Sequence, residues 1–281
     1  MIELATVTKK YRHTMAMDSV SLTIPDTGVY CLLGRNGAGK TTFMKLIAGH
    51  IRSTSGTITI DGVKVSPGRM PDCVSYIESD SVQFNMRVSD LIDTACLLQE
   101  SFDRDFAKEM TERFELNPRK RFRQLSLGMK TMLTTIISLA NNSTVILLDE
   151  PTLGLDPIVR DRFNTMLLES YDAHPRVIIV STHQMDEIAQ VTQRLIIIDQ
   201  GKLLMEAGID EIDEKAYTLS GPTQEVLPLV SGLNCIGTTQ AGGVLAAHIF
   251  DQRIAVPEGV SVDRLGLKDF FINIVRRENH A

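Results

Sequence analysis

Three features of the sequence predict an α/β fold built on a mainly parallel sheet. Short apolar runs at 29–33 (VYCLL), 144–149 (TVILLD), 176–181 (RVIIVS) and 194–201 (RLIIIDQG) alternate with helical segments. Strands covered on both faces read as such near-continuous apolar runs. The first run leads directly into a glycine-rich loop and a helix-like stretch from Lys40 to about Gly49. Near Gly208 the texture changes, and a small α/β appendix follows.

Taken in order, residues 2–7 and 18–24 are rich in β-formers and broken by polar turns, and Gly56 to Gly62 forms a further strand ending in a turn. These segments read as a run of short strands at the N-terminus. From Val88 to Phe114 the pattern is helical, with Leu91, Ile92, Ala95 and Leu98 on one face and a charged amphipathic stretch behind them. A helical subdomain is expected over about 86–140. In the appendix, 215–221 reads as a strand, 223–231 as a short helix, and 233–257 as strands joined at Gly242-Gly243. Residues 266–277 read as a helix with Leu267, Phe270, Phe271, Ile274 and Val275 on one face. Removing the chain after Gly208 is expected to expose an apolar face that this helix covers. The expected domains are therefore 1–208 and 209–281.

Composition narrows the function classes. The chain has 281 residues, 43% apolar and 23% charged, with a net charge of −6 and no Trp. Proteins held to nucleic acid by counterion release carry the opposite charge balance, and base-stacking surfaces need more aromatics than 5%. No nucleic-acid partner is expected. Cys31, Cys73, Cys96 and Cys235 are widely spaced, without a C-x-x-C pair, which reads as reduced thiols. The longest apolar runs are strand-sized and the N-terminus has no signal-peptide core, so a cytoplasmic chain is expected.

The strongest chemical signal is 34–42, GRNGAGKTT, which fits G-x-x-x-x-G-K-[ST] between a strand and a helix. Glycines let the backbone N–H groups of Asn36, Gly37, Ala38 and Gly39 curl around phosphates, and the helix N-terminus at Lys40, Thr41 and Thr42 adds partial positive charge. Lys40 supplies a mobile charge for the β/γ-phosphates, and the Thr41 hydroxyl is a ligand for Mg²⁺. The second signal is 144–151, TVILLDEP, an apolar strand ending in two acids at the ligand edge of a parallel sheet. Asp149 is placed to hold Mg²⁺, directly or through water, and Glu150 to orient and deprotonate an attacking water.

With 125–130 (LSLGMK), 149–157 (DEPTLGLDP) and 180–183 (VSTH) in the same order, the chain resembles the nucleotide-binding subunit of ATP-binding-cassette (ABC) transporters over about residues 1–205. The resemblance implies the P-loop NTPase fold of that family, with an antiparallel β-subdomain at the N-terminus and a helical subdomain, together with ATP as ligand, Mg²⁺ as its partner, and ATP hydrolysis. It implies that Tyr11 stacks on adenine, the alternative being a tyrosine packed on the core. It assigns Ser126 and Gly128 to a signature motif that reads the γ-phosphate held by another subunit, and so implies a head-to-tail cassette dimer, homo- or heteromeric. Asp156 falls in a loop that links the two sites, and His183 matches the residue that contacts the γ-phosphate. The partners implied are separate transmembrane permease subunits, which would hold the chain at the cytoplasmic face of the membrane. The LS-x-GM-K form resembles an exporter-type branch. Where the family carries a glutamine touching Mg²⁺ and water, this chain offers Ser79 by alignment or Gln83 four residues on. A soluble or regulatory ABC ATPase that drives no transport is the rival reading. The basic run Arg119, Lys120, Arg121, Arg123 reads as a solvated surface, or alternatively as a contact with a partner or anionic headgroups.

Overall fold

The computed structural model describes residues 1–78, 84–183 and 188–278. Its contacts divide the chain into two compact units, Met1–Thr192 with Ile198–Leu203, and Gln193–Ile197 with Leu204 onward.

In the first unit, β1 (Ile2–Tyr11) pairs antiparallel with β2 (Thr14–Ile24) and with β4 (Ser55–Ile60), and β4 pairs with the short β5 (Val63–Lys64). β1 and β2 run on into polar residues, and register shifts mark β1 where Thr6 and, opposite, Ser19 take positive φ. Bulges of this kind interrupt strict alternation, which is why the sequence pattern marks only the ends of these strands.

The central sheet is built from β3 (Gly28–Leu33), β6 (Val74–Glu78), β7 (Val145–Asp149) and β8 (Val177–Thr182). β8 stands between β3 and β7, and β6 flanks β7, all parallel. Every residue of β3, β7 and β8 is buried, as the apolar runs require. Each such Val, Leu or Ile side chain stabilises the fold by about 1.5–3 kcal/mol relative to exposure. α1 (Lys40–Ile47) buries Phe43, Met44, Leu46 and Ile47, and α5 (Pro157–Ala173) buries Phe163, Met166 and Leu167. The chain then continues through β9 (Arg194–Asp199) and β10 (Lys202–Gly208).

Helical periodicity over 88–114 resolves into two helices, α2 (Val88–Leu98) and α3 (Arg104–Arg113). The break has a local cause: Asp103 caps α3, its carboxylate accepting from Phe106 N–H at 2.9 Å. Both pack with α4 (Leu127–Ala140), whose N-cap Ser126 accepts from Met129 N–H at 3.3 Å. The run Arg119, Lys120, Arg121, Arg123 is exposed, with Phe122 alone turned inward.

The second unit contains α6 (Ile209–Lys215) and an antiparallel sheet ordered β12-β13-β11-β14: β11 (Ala216–Pro222), β12 (Cys235–Ala241), β13 (Val244–Phe250) and β14 (Ser261–Arg264). α7 (Thr223–Val230) covers one face through Val226, against Tyr217, Leu219, Leu245, Ala247 and Ile249. α8 (Leu267–Glu278) packs on β12, with Phe270 edge-on to Phe250 at 5.2 Å.

Candidate nucleotide site

The glycine loop closes between β3 and α1 by a tight turn in which Ala38 N–H donates to Arg35 O at 3.0 Å. Gly39 caps α1 at φ +110°, and a Cβ there would meet Ala16 O at 2.5 Å and Met17 Sδ at 3.3 Å. Only glycine suits that position, on dihedral and on space. Asn36 and Gly37 are exposed, Thr41 and Thr42 half-buried, and Ala38 buried. The loop therefore presents backbone outward at the end of the sheet.

Lys40 is 7% exposed, and its ammonium folds back onto the loop, donating to Gly34 O at 2.8 Å and Arg35 O at 3.4 Å. The same Nζ lies 3.4 Å from Glu150 Oε1. The other carboxylate oxygen of Glu150 is 2.9 Å from His183 Nδ1. Three residues from three separated segments thus meet at the carboxyl ends of β3, β7 and β8, the edge at which open parallel sheets bind ligands. Asp149 ends β7 and is buried, and it accepts a hydrogen bond from the Ser181 hydroxyl. Glu150 takes φ +52° immediately after it. Tyr76, on β6, has its hydroxyl pushed well above the ordinary tyrosine range by burial and then by the carboxylates of Asp149 and Glu78. Glu78 in turn is held by Lys45 of α1 at 2.8 Å.

The other candidates lie apart from this cluster. Tyr11 ends β1 with its ring 43% exposed and the Lys9 ammonium 4.7 Å from the ring centroid, so it is a surface aromatic and not a core one. Ser126 and Gly128 open α4 beside Leu155, in a cleft of about 520 Å³ that also takes in Leu127, Gly154 and Asp156. Asp156 caps α5, accepting from Ile158 and Val159 N–H at 3.0 Å. Ser79 and Gln83 lie outside the described residues. Tyr76 and the Lys45–Glu78 pair carry no motif of their own, and Ser181 falls in 180–183 (VSTH), where the resemblance assigns a role to His183 alone. Ser181 also follows directly on the apolar run 177–180, a further signal in the sequence.

Residues 17–153 match the family model for ABC transporters. The ABC transporter ATP-binding protein YtrB of Bacillus subtilis is 30% identical over 76% of this chain and 74% of its own length. This chain belongs to the ABC transporter ATP-binding proteins. The bacitracin transport ATP-binding protein BcrA of Enterococcus faecalis is 29% identical over 98% of this chain and 96% of its own length, so the likeness extends through the second unit. Among solved structures, the ATP-binding cassette MJ0796 bound to ADP and Pi superposes with a TM-score of 0.65 at 22% identity, over 74% of this chain and 99% of that one. As in its family, the chain is an ATPase with an α/β P-loop fold, and ATP is its nucleotide. Among the described residues no helix is long and apolar enough to cross a membrane.

Proposed function

We propose that this ABC ATPase powers export of a substrate through separate membrane-spanning subunits, held by them at the cytoplasmic face of the membrane and working as a cassette dimer. The observation that carries the site reading is the convergence of Lys40, Glu150 and His183 beside a glycine loop and a buried Asp149. The LS-x-GM-K form and the full-length likeness to a bacitracin transport protein support transport over a soluble role.

The loop amides and the α1 N-terminus would cradle the phosphates. Lys40 would exchange Glu150 for the β/γ-phosphates, which frees that carboxylate to orient a water and take its proton as it attacks the γ-phosphorus. His183, already against Glu150, would hold the γ-phosphate in line. Tyr11 offers an exposed ring for adenine, and Ser126 with Gly128 a helix N-terminus for the γ-phosphate of the partner subunit's nucleotide. The hydroxyl of Thr41 and the carboxylate of Asp149 are hard oxygen donors of the kind Mg²⁺ takes alongside phosphate oxygens. Held by Thr41 and Asp149, Mg²⁺ would supply neutralisation of phosphate charge. ATP binding then closes the dimer and hydrolysis reopens it, a shift between two states biased by nucleotide.

Glu150→Gln should lower turnover by about 10²–10⁴-fold, the range for a general base, while ATP still binds and holds a closed dimer on gel filtration. A variant keeping more than half of wild-type turnover would remove Glu150 from this role. Mixing Lys40→Ala chains with Ser126→Arg chains should restore part of the activity, since one composite site keeps both motifs. An active monomer would defeat the dimer reading.

A further inference from the structure

β7 and β8 run parallel with Asp149 opposite Ser181. The Ser181 side chain is wholly buried, and its hydroxyl makes two bonds at once: it donates to Asp149 Oδ1 and accepts from Glu150 N–H at 3.0 Å. The same N–H lies 3.2 Å from Ser181 O. A hydroxyl has one donor and two acceptor positions, so it serves both neighbours, whereas a methyl serves neither and a thiol serves both weakly. A buried hydroxyl in an apolar strand costs free energy unless it is bonded, and here every bond goes to the two acids of the site.

The two bonds act on different things. The Glu150 backbone sits at φ +52°, a conformation that costs a non-glycine residue about 1–2 kcal/mol. The paired acceptors of Ser181 hold it there, and from that turn the Glu150 carboxylate reaches Lys40 and His183. The bond to Oδ1 fixes the plane of the Asp149 carboxylate. His183 follows Ser181 by two residues, so one strand end grips Glu150 at its backbone and at its carboxylate.

We infer that Ser181 is a positioning residue for hydrolysis, one buried hydroxyl setting both the carboxylate plane of Asp149 and the backbone turn that aims Glu150. This rests on the reading of Asp149 as a metal-holding acid and Glu150 as the base.

The test uses Ser181→Ala and the nearly isosteric Ser181→Cys, with Asp149→Asn as control. Both Ser181 variants should lose about 10–100-fold in kcat, with the KM for ATP within threefold of wild type. Mn²⁺ binding to the ADP-loaded protein, read by electron paramagnetic resonance, should weaken several-fold in both. A cysteine variant with wild-type turnover would reduce Ser181 to packing and overturn the inference. So would unchanged Mn²⁺ affinity in both Ser181 variants where Asp149→Asn weakens it, or a kcat loss matched by equal loss of ATP affinity in EDTA. Asp149→Asn leaving Mn²⁺ affinity intact would fault the metal reading itself and take the inference with it.

Discussion

At the carboxyl ends of β7 and β8 the first unit gathers Lys40, Asp149, Glu150 and His183 in partly or fully buried positions. The antiparallel sheet of the second unit instead encloses Tyr217, Leu219, Val226, Leu245, Ala247 and Ile249. Among the described residues, the buried charged side chains Lys40, Asp149, Arg176 and Asp199 all fall in the first unit, and the second buries one polar side chain, Asn273. Charges are costly to bury and interact strongly once buried. A core that needs only to hold together has no use for them. Two of those four charges, Lys40 and Asp149, stand at the nucleotide site.

Arg176 tests whether buried charge outside the site is structural. It precedes β8 at the end opposite His183, and burial pulls its guanidinium down to about 10. Its described bonds go to neutral acceptors: Asn142 Oδ1 at 2.8 Å, Leu139 O at 3.0 Å and Ser170 Oγ at 2.5 Å. Arg176→Ala leaves three acceptors and a void, and should cost about 3 kcal/mol in urea unfolding. A loss below about 1 kcal/mol would show that the buried guanidinium contributes little to the fold.

Lys40→Ala should weaken ATP binding by about 100-fold, equivalent to about 2.7 kcal/mol. Unchanged affinity by calorimetry would separate the ammonium from the phosphates and erase the contrast at its centre.

In the second unit the sharpest steric demand is at Gly237, where a Cβ would run into Oδ1 of Asn273 and meet its Cγ at 2.9 Å. Asn273 is 8% exposed and tied to Asp269 O at 2.8 Å, so it yields poorly. Gly237→Ala should lift α8 from β12 at a cost of about 1–3 kcal/mol, with ATP affinity unchanged. A fall in ATP affinity would mean that the appendix helps build the nucleotide site.

The sequence was most legible where one physical demand ruled. Continuous burial marked β3, β7 and β8, and the loop geometry marked residues 34–42, because only glycine suits the turn at Gly39. Legibility failed where two demands mixed. β6 carries the polar Ser75, Tyr76 and Glu78 beside buried Val74, since it flanks the site, and its pattern reads as neither strand nor helix. α6 and β14 are too short to show a period. The bonds of Ser181 depend on β7 and β8 lying side by side in register, a pairing that no local pattern encodes.

The smallest effect separates the units by pH. His248 on β13 is half-buried, its Nδ1 3.0 Å from Thr218 Oγ1. Burial lowers its pKa, partly offset by the carboxylate of Asp269. A histidine whose folded pKa lies below the unfolded value of about 6.5 binds fewer protons folded than unfolded, so stability falls as pH drops through that window. Asp251 is lowered by the Asn234 and Gln252 backbone N–H groups, and its contribution is lost only at more acidic pH, so the two separate. Between pH 7 and 5.5 the second unit should lose stability with a slope below the one-proton limit of about 1.4 kcal/mol per pH unit, and His248→Gln should flatten it. An NMR titration of the His248 ring checks the premise, with a midpoint expected below that of histidine in an unfolded peptide. A midpoint above it would reverse the sign and make acid stabilising, with Asp269 then outweighing burial.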